Sequence, residues 1–299
     1  MEMKPPYTSE EEIVNHNNRS RLKLAVKRFL SNNMALTGGI ILLVVGLFTL
    51  IAPLLASFSP LEMDSVNRLQ QPSVKHWFGT DNFGRDLFSR VAYGARVSLG
   101  VGFSVAIITS IIGLILGLFA AYNYILDHII MRICDGVLAF PAILLAIAVM
   151  AVLGPQPINV VIAITIAKSP TVARIVRSSA LVVKEQTFIE AIRSQGASSM
   201  RIIWRHIAPN TVSPLIVQMT YIFAIAIILE AALSFLGAGV PAPNPSWGNI
   251  LYDGKVVIFQ AWWMTIFPAI LIILSVLGLN LFGDGLRDLL DPYTNKANK

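Results

Sequence analysis

The sequence predicts an all-α polytopic membrane protein with six transmembrane helices, and three observations carry that prediction. The 299 residues are 55% hydrophobic and only 13% charged, whereas a soluble domain of this length dilutes its core with polar faces. Five runs, 29–61, 97–126, 136–167, 207–229 and 256–283, contain no Asp, Glu, Lys or Arg. Each is long enough to cross about 30 Å of hydrocarbon at about 1.5 Å per helical residue. With the N-terminus inside, 16 of the 23 Lys and Arg fall in inner segments and 6 in outer ones, a positive-inside asymmetry that places both termini in the cytoplasm.

Residues 1–34 form a cytoplasmic tail. Its opening, MEMKPPYTSEEEIVNHNNRS, is too acidic and polar for a secretory signal, so the first apolar run is expected to remain as a signal anchor. RLKLAVKRFL, residues 21–30, reads either as a basic amphipathic helix on the membrane surface or as a solvated positive flank. Residues 35–96 hold the first span and an extracytoplasmic segment punctuated by Pro60, Pro72 and Gly79. Residues 97–292 form a core of five further spans with a cytoplasmic segment at 184–210, and 293–299 a second tail.

The six spans are placed at 35–56, 97–122, 135–153, 158–175, 212–236 and 263–282. The third and fourth are cut from one apolar run by GPQP at 154–157, a tight hairpin. A second outer segment contains GVPAPNPSWGN, where Pro241, Pro243 and Pro245 exclude regular helix.

Several chemistries are excluded. The net charge of +6 follows the membrane asymmetry, not a nucleic-acid footprint. A single cysteine, Cys134, allows no internal disulfide and no Cys-pair metal site. His16, His76, His128 and His206 are scattered over different segments, against a histidine metal cluster. No HExxH or GxSxG occurs, and Gly79-x4-Gly84 lacks the Lys-Ser/Thr of a phosphate-binding loop. No catalytic, cofactor-binding or metal-ligating residue is expected.

The stretch TFIEAIRSQGASSMRIIWRHIAPN, residues 187–210, is polar and heavily punctuated between apolar runs. Thr187 and Glu190 have capping-box spacing, which starts a helix. Gly196 suits the left-handed turn that ends it, Ser198 can cap a second helix, and Pro209 marks that helix's end. Met200, Ile203, Trp204 and Ile207 fall at i, i+3, i+4 and i+7, one apolar stripe, with Arg201 and Arg205 on another face. Such a hairpin can pack on its own spans, lie on lipid or enter a groove on a soluble partner.

Asp135, Lys168 and Glu230 lie in or at the ends of predicted spans, where charges face a partner or a watery cavity. An internal pairing of Lys168 with Glu230 or Asp135 is the plainer reading, and an ion-coupled secondary carrier the alternative. In GTDNFGRD, Asp81, Arg85 and Asp86 either pair among themselves in an ordered loop or meet an external partner.

EAIRSQGASSMRIIWRHIAP resembles the EAA loop of bacterial ATP-binding-cassette importer permeases: Glu190, Ala191, Gly196, Ile207 or Ala208, and Pro209 match, and Ile192 replaces the second alanine. HWFGTDNFGRDLFSRVAYGARVSLGVG (76–102), EAALSFLGAGVPAPNPSWGNIL (230–251) and NLFGDGLRDLLDP (280–292) are similar, in the same order, to blocks of the C-type permease of the dipeptide, oligopeptide, nickel and glutathione importers.

This resemblance implies a type I importer permease fold in the bacterial cytoplasmic membrane, a homologous second permease, two ATPases that bind ATP and Mg, and an extracytoplasmic solute-binding protein. It implies an ATPase-coupling role for Glu190, Ala191, Gly196, Ala197, Met200, Arg201, Ile203, Trp204, Arg205 and Pro209. Gly79, Thr80, Asp81, Gly84, Arg85, Asp86 and Trp247 become candidates for external partner contact.

Overall fold

The computed structural model describes residues 29–290. The chain forms α1 (Asn33–Leu55), α2 (Leu87–Tyr122), α3 (Tyr124–Leu138), α4 (Ala142–Leu153), α5 (Pro157–Lys184), α6 (Thr187–Ser194), α7 (Ser199–Phe235), α8 (Trp247–Val256) and α9 (Trp263–Leu290). The tail at 293–299 and all of RLKLAVKRFL except Phe29 and Leu30 lie outside the described residues.

Five helices, α1, α2, α5, α7 and α9, are long and apolar enough to cross a membrane; α3 and α4 together make a sixth candidate, bent by 91°. The straight third span expected at 135–153 is therefore replaced by a broken one that starts at Tyr124. The break sits at Pro141, whose φ of −55° and ψ of 128° leave the helix. Proline has no N–H to donate and disfavours helical geometry in the residue before it, here Phe140.

α2 packs along α5 and α7, α9 packs along α1 and α7, and α8 lies across α7 and α9. The α2–α5 contact is a small-xxx-small one: a Cβ on Gly113 would lie 2.5 Å from Val172 Cβ, and one on Gly117 2.7 Å from the Ala173 carbonyl. Only glycine lets these backbones approach so closely, which is how helices gain contact in a medium that offers no hydrophobic drive between them.

The larger apolar core joins α2, α4, α5 and α7 and includes Val105, Leu118, Ile164 and Val176 together with Ile189, Ile202, Ile203 and Ile207. A second core centres on Leu87, Val91, Trp247, Trp263 and Met264. Leu43, Leu50, Leu54, Ile133, Leu144 and Ile273 stay exposed, an apolar surface suited to lipid.

Candidate functional site

α6 and the start of α7 form the expected helix, glycine turn, helix, but the capping differs. Gln186, not Thr187, takes the N-cap position and makes no side-chain cap bond, so the Thr187–Glu190 capping box is not formed. At the other end Gly196 has φ +81°, its N–H bonds Arg193 O at 3.0 Å and Ala197 N–H bonds Ile192 O at 3.3 Å. That pair of bonds is a Schellman motif and satisfies carbonyls left open at the end of α6. Ser198 precedes α7 in extended geometry, again without a side-chain cap bond.

Pro209 does not end the second helix: α7 runs on to Phe235. A π-helical turn spans Ile202–Ile207, with Ala208 N–H bonded to Ile203 O. The wide turn absorbs the missing donor of Pro209 and lets the chain pass directly from hairpin into span.

The expected single apolar stripe is divided. Ile203 and Ile207 are 2% and 1% exposed, packed with Ile189 and Ile202 into the core, whereas Met200 and Trp204 are 55% and 45% exposed. Ile203 is therefore a core residue and offers nothing to a partner. Glu190, Ala191, Gly196, Arg201, Arg205 and Pro209 are exposed and Ala197 is half-buried. Phe188, which the sequence reading passed over, is exposed beside them; its signal was the Phe188–Ile189 pair, one side chain out and one in.

Two contacts fix the hairpin to the bundle. Tyr122 Oη donates to Ser199 Oγ at 3.1 Å. Lys184 Nζ donates to Ala121 O at 2.9 Å and Tyr122 O at 3.4 Å, placing a cation on the last carbonyls of α2, where the helix dipole favours it.

The intramembrane charges are partnered differently from expectation. Asp135 pairs with Arg174, and Asp127 accepts from Arg177 Nη2 at 2.6 Å. Glu230 is fully buried and accepts from Ser98 Oγ and Ser234 Oγ, each at 2.8 Å. Lys168 is half-buried and pairs with no carboxylate among the described residues. Neither expected Lys168 pair forms, because Arg174, six residues on, lies roughly 240° around α5 at 100° per residue and takes Asp135 on another face.

The GTDNFGRD loop is buried apart from the half-buried Asn82 and the exposed Phe83. Arg85 Nε lies 2.6 Å from Asp81 Oδ2 and its Nη2 3.2 Å from Asp253 Oδ2; Arg90 reaches the same two carboxylates at 3.4 and 3.7 Å. Burial pushes the Asp253 carboxyl up, against the pull of Arg90 and Arg85. Asp86 instead caps α2, accepting from Ser89 N at 2.8 Å and Ser89 Oγ at 2.7 Å, and bonds His76 Nδ1 at 2.9 Å.

Tryptophans brace this loop. Trp263 Nε1 donates to Thr80 O at 3.1 Å, and Trp247 Nε1 donates to Val91 O at 3.2 Å. Gly84 has φ +75°, and a Cβ there would sit 1.8 Å from Asp64 O. Thr80, Asp81, Arg85, Asp86 and Trp247 are each 5% exposed or less, and Gly79 and Gly84 are buried. These candidates for external contact are thus internal struts; the segment's structural reading holds for Asp81 with Arg85, while Asp86 turns to His76 and Ser89.

Residues 113–296 match the model of the family described as binding-protein-dependent transport system inner membrane component. The chain belongs to this family. Residues 20–72 match the N-terminal transmembrane domain of oligopeptide transport permease C. The permease is 48% identical over 274 residues to a putative peptide transport system permease protein of Brucella abortus, covering 92% of this chain and 93% of that one. It is 49% identical over 269 residues to the dipeptide transport system permease protein DppC of Alkalihalophilus pseudofirmus, covering 90% and 88%. Against the glutathione transport system permease protein GsiD of Escherichia coli the figures are 48% over 271 residues, 89% and 88%.

The inward-facing MetNI methionine ABC transporter shares its fold at TM-score 0.56 and 21% identity, over 66% of this permease and 94% of that chain. The permease is a C-type ABC importer subunit with the type I importer fold, a multi-pass protein of the inner membrane.

Proposed function

We propose that this permease lines half of a translocation path for peptides or related small solutes, dipeptide, oligopeptide or glutathione in the first place and a nickel complex as a further case. Its hairpin, 187–209, couples that path to cytoplasmic ATPases, with both termini in the cytoplasm. The supporting observation is the division of the hairpin: Ile189, Ile203 and Ile207 are locked into the core while Phe188, Met200, Trp204, Arg201 and Arg205 face outward. A rigid back and an aromatic, basic front is what a docking element needs. The names of the relatives support the solute class.

On this reading the permease works with a homologous second permease, two ATPases that bind ATP and Mg, and an extracytoplasmic solute-binding protein. ATP binding closes the ATPases, the hairpin passes that motion to α5 and α7, and the path opens outward; hydrolysis resets it. The chain itself performs no bond chemistry. An ion-coupled carrier is the less favoured reading, since Glu230 is enclosed by two serine hydroxyls and Lys168 pairs with no carboxylate among the described residues.

The test is uptake by proteoliposomes holding the whole complex. ATP-driven uptake of dipeptide or glutathione that survives collapse of the proton gradient is expected. Uptake that follows the gradient and ignores ATP overturns the proposal.

A further inference from the structure

The side chains of α3 and α5 line an open cleft of about 460 Å³ formed by Asp127, His128, Met131, Arg132, Asp135, Arg174 and Arg177. Six of these seven are titratable. On α3 the lining residues recur at i, i+1, i+4, i+5 and i+8, one face of a helix, with Met131 at i+4, and Arg174 and Arg177 lie in the last three turns of α5 before the hairpin. The volume falls in the range of small-molecule sites, about 300–1,000 Å³.

The charges do not cancel. Arg174 pairs with Asp135 and Arg177 with Asp127, which leaves the exposed Arg132 as a surplus guanidinium with no carboxylate partner among the described residues. The Arg174–Asp135 pair is itself about half exposed, at 49% and 51%. An ion pair so exposed is weakly held, so its members can exchange partners with an incoming charged group. His128 stands edge-on to Tyr124, ring centroids 4.3 Å apart.

We propose that this cleft is a transit site for a zwitterionic solute, with Arg132 taking its carboxylate and Asp127 or Asp135 its ammonium. The inference rests on the import reading above and adds the chemistry by which the path holds its cargo. Guanidinium suits the first pole because its planar fork matches a carboxylate. The exposed Arg174–Asp135 pair suits transit, since a site that binds tightly does not release. The same two poles occur on a phosphatidylethanolamine headgroup, but the lining offers only Met131 as an apolar wall, too little for acyl chains.

The experiment uses the complex of this permease with its sister permease and ATPases, without binding protein, in phosphatidylethanolamine-containing nanodiscs. Equilibrium dialysis with radiolabelled L-alanyl-L-alanine and glutathione, and with the C-terminal amide of the dipeptide, reads affinity. At least one probe is expected to bind, and R132Q to weaken it roughly tenfold or more, the loss of one hydrogen-bonded charge. R132K should restore part of that. The amide should bind the wild type as weakly as the acid binds R132Q, and R132Q should not discriminate between them.

Equal binding of acid and amide by the wild type overturns the proposal, and this arm stands even if R132Q fails to assemble. Unchanged affinity in an assembled R132Q complex does the same. So does native mass spectrometry showing phospholipid retained by the wild type and lost in R132Q while probe binding is unaltered; the site then belongs to lipid. Uptake into proteoliposomes with the binding protein is measured in parallel. Absence of ATP-driven uptake of both probes overturns the import reading and the transit site with it, whereas normal uptake with unaltered R132Q binding overturns the transit site alone.

Discussion

Tyr122, the last residue of α2, donates its hydroxyl to Ser199 Oγ, in the first turn of α7, across 3.1 Å. The contact links the end of one spanning helix to the start of the hairpin's second arm, and Lys184 closes the same corner by bonding the carbonyls of Ala121 and Tyr122. On the proposed coupling, motion of the hairpin is expected to reach α2 and α5 at this corner.

Tyr122→Phe removes the hydroxyl and keeps the ring. A single net hydrogen bond contributes about 0.5–1.5 kcal/mol, so membrane abundance should hold while solute moved per ATP hydrolysed falls. Ser199→Ala should behave alike and the double mutant no worse. Independent, additive losses would separate the two residues.

Neighbouring residues of the hairpin should divide by the direction they face. Ile203→Ala opens a cavity at a 2% exposed position and should cost about 2–5 kcal/mol, read as lower melting temperature and abundance. Trp204→Ala, at 45% exposure, should leave both nearly unchanged and reduce ATPase co-purification. The reverse pattern would place the docking face on the other side of the helix.

Legibility in the sequence followed the range of the interaction. The spans were legible because the need to bury apolar length is local, and so was Gly196, whose positive φ is a property of one residue. The 91° bend was missed although Pro141 was in view, because the run 136–153 is apolar throughout and its pattern does not register direction. Partners across helices were not legible: Asp135 with Arg174 and Glu230 with Ser98 are 39 and 132 residues apart. For the outer motif the sequence leaves internal pairing and external contact both open, since burial of Asp81 and Arg85 depends on Asp253 and Trp263, supplied by distant elements.

Asp81 faces both Arg85 and Arg90 in a cluster balanced by Asp253. Asp81→Asn leaves two buried guanidinium groups against one carboxylate. Breaking a buried pair costs about 3–5 kcal/mol, so the variant should lose abundance in the membrane. Stable assembly with impaired docking of the binding protein would instead make this loop a contact surface.

Lys168→Met should be neutral or mildly stabilising, because it removes an ammonium that has no carboxylate partner among the described residues. Its effect should not depend on Glu230→Gln. Glu230→Ala, by contrast, removes the acceptor of the Ser98 and Ser234 hydroxyl protons in a buried site, leaving each oxygen only the bond it accepts from Trp247 N or Val240 N, at about 1–3 kcal/mol for each unsatisfied donor. A melting curve of each single and double variant decides, and coupling between Lys168 and Glu230 would restore the pair that the structure separates.

Gly196 offers the cleanest separation of hinge from packing. Its φ is +81°, yet no atom lies within 4 Å of where a Cβ would stand. A side chain there meets no steric obstacle, so the cost is that of the left-handed backbone, roughly 1–2 kcal/mol for most residues and less for asparagine. Gly196→Asn should therefore be mild, Gly196→Ala intermediate and Gly196→Val severe, the last because a β-branched side chain resists that region most. Since α6 is only a short helix whose exposed face touches little else, the strain should be relieved by misdirecting α6 relative to α7, with the spans left in place. Membrane abundance and sister-permease binding should stay level across the series while ATPase association falls in the order Asn, Ala, Val. Abundance falling in step with association would show that the turn stabilises the bundle, and a flat association series would remove the hairpin from the coupling path.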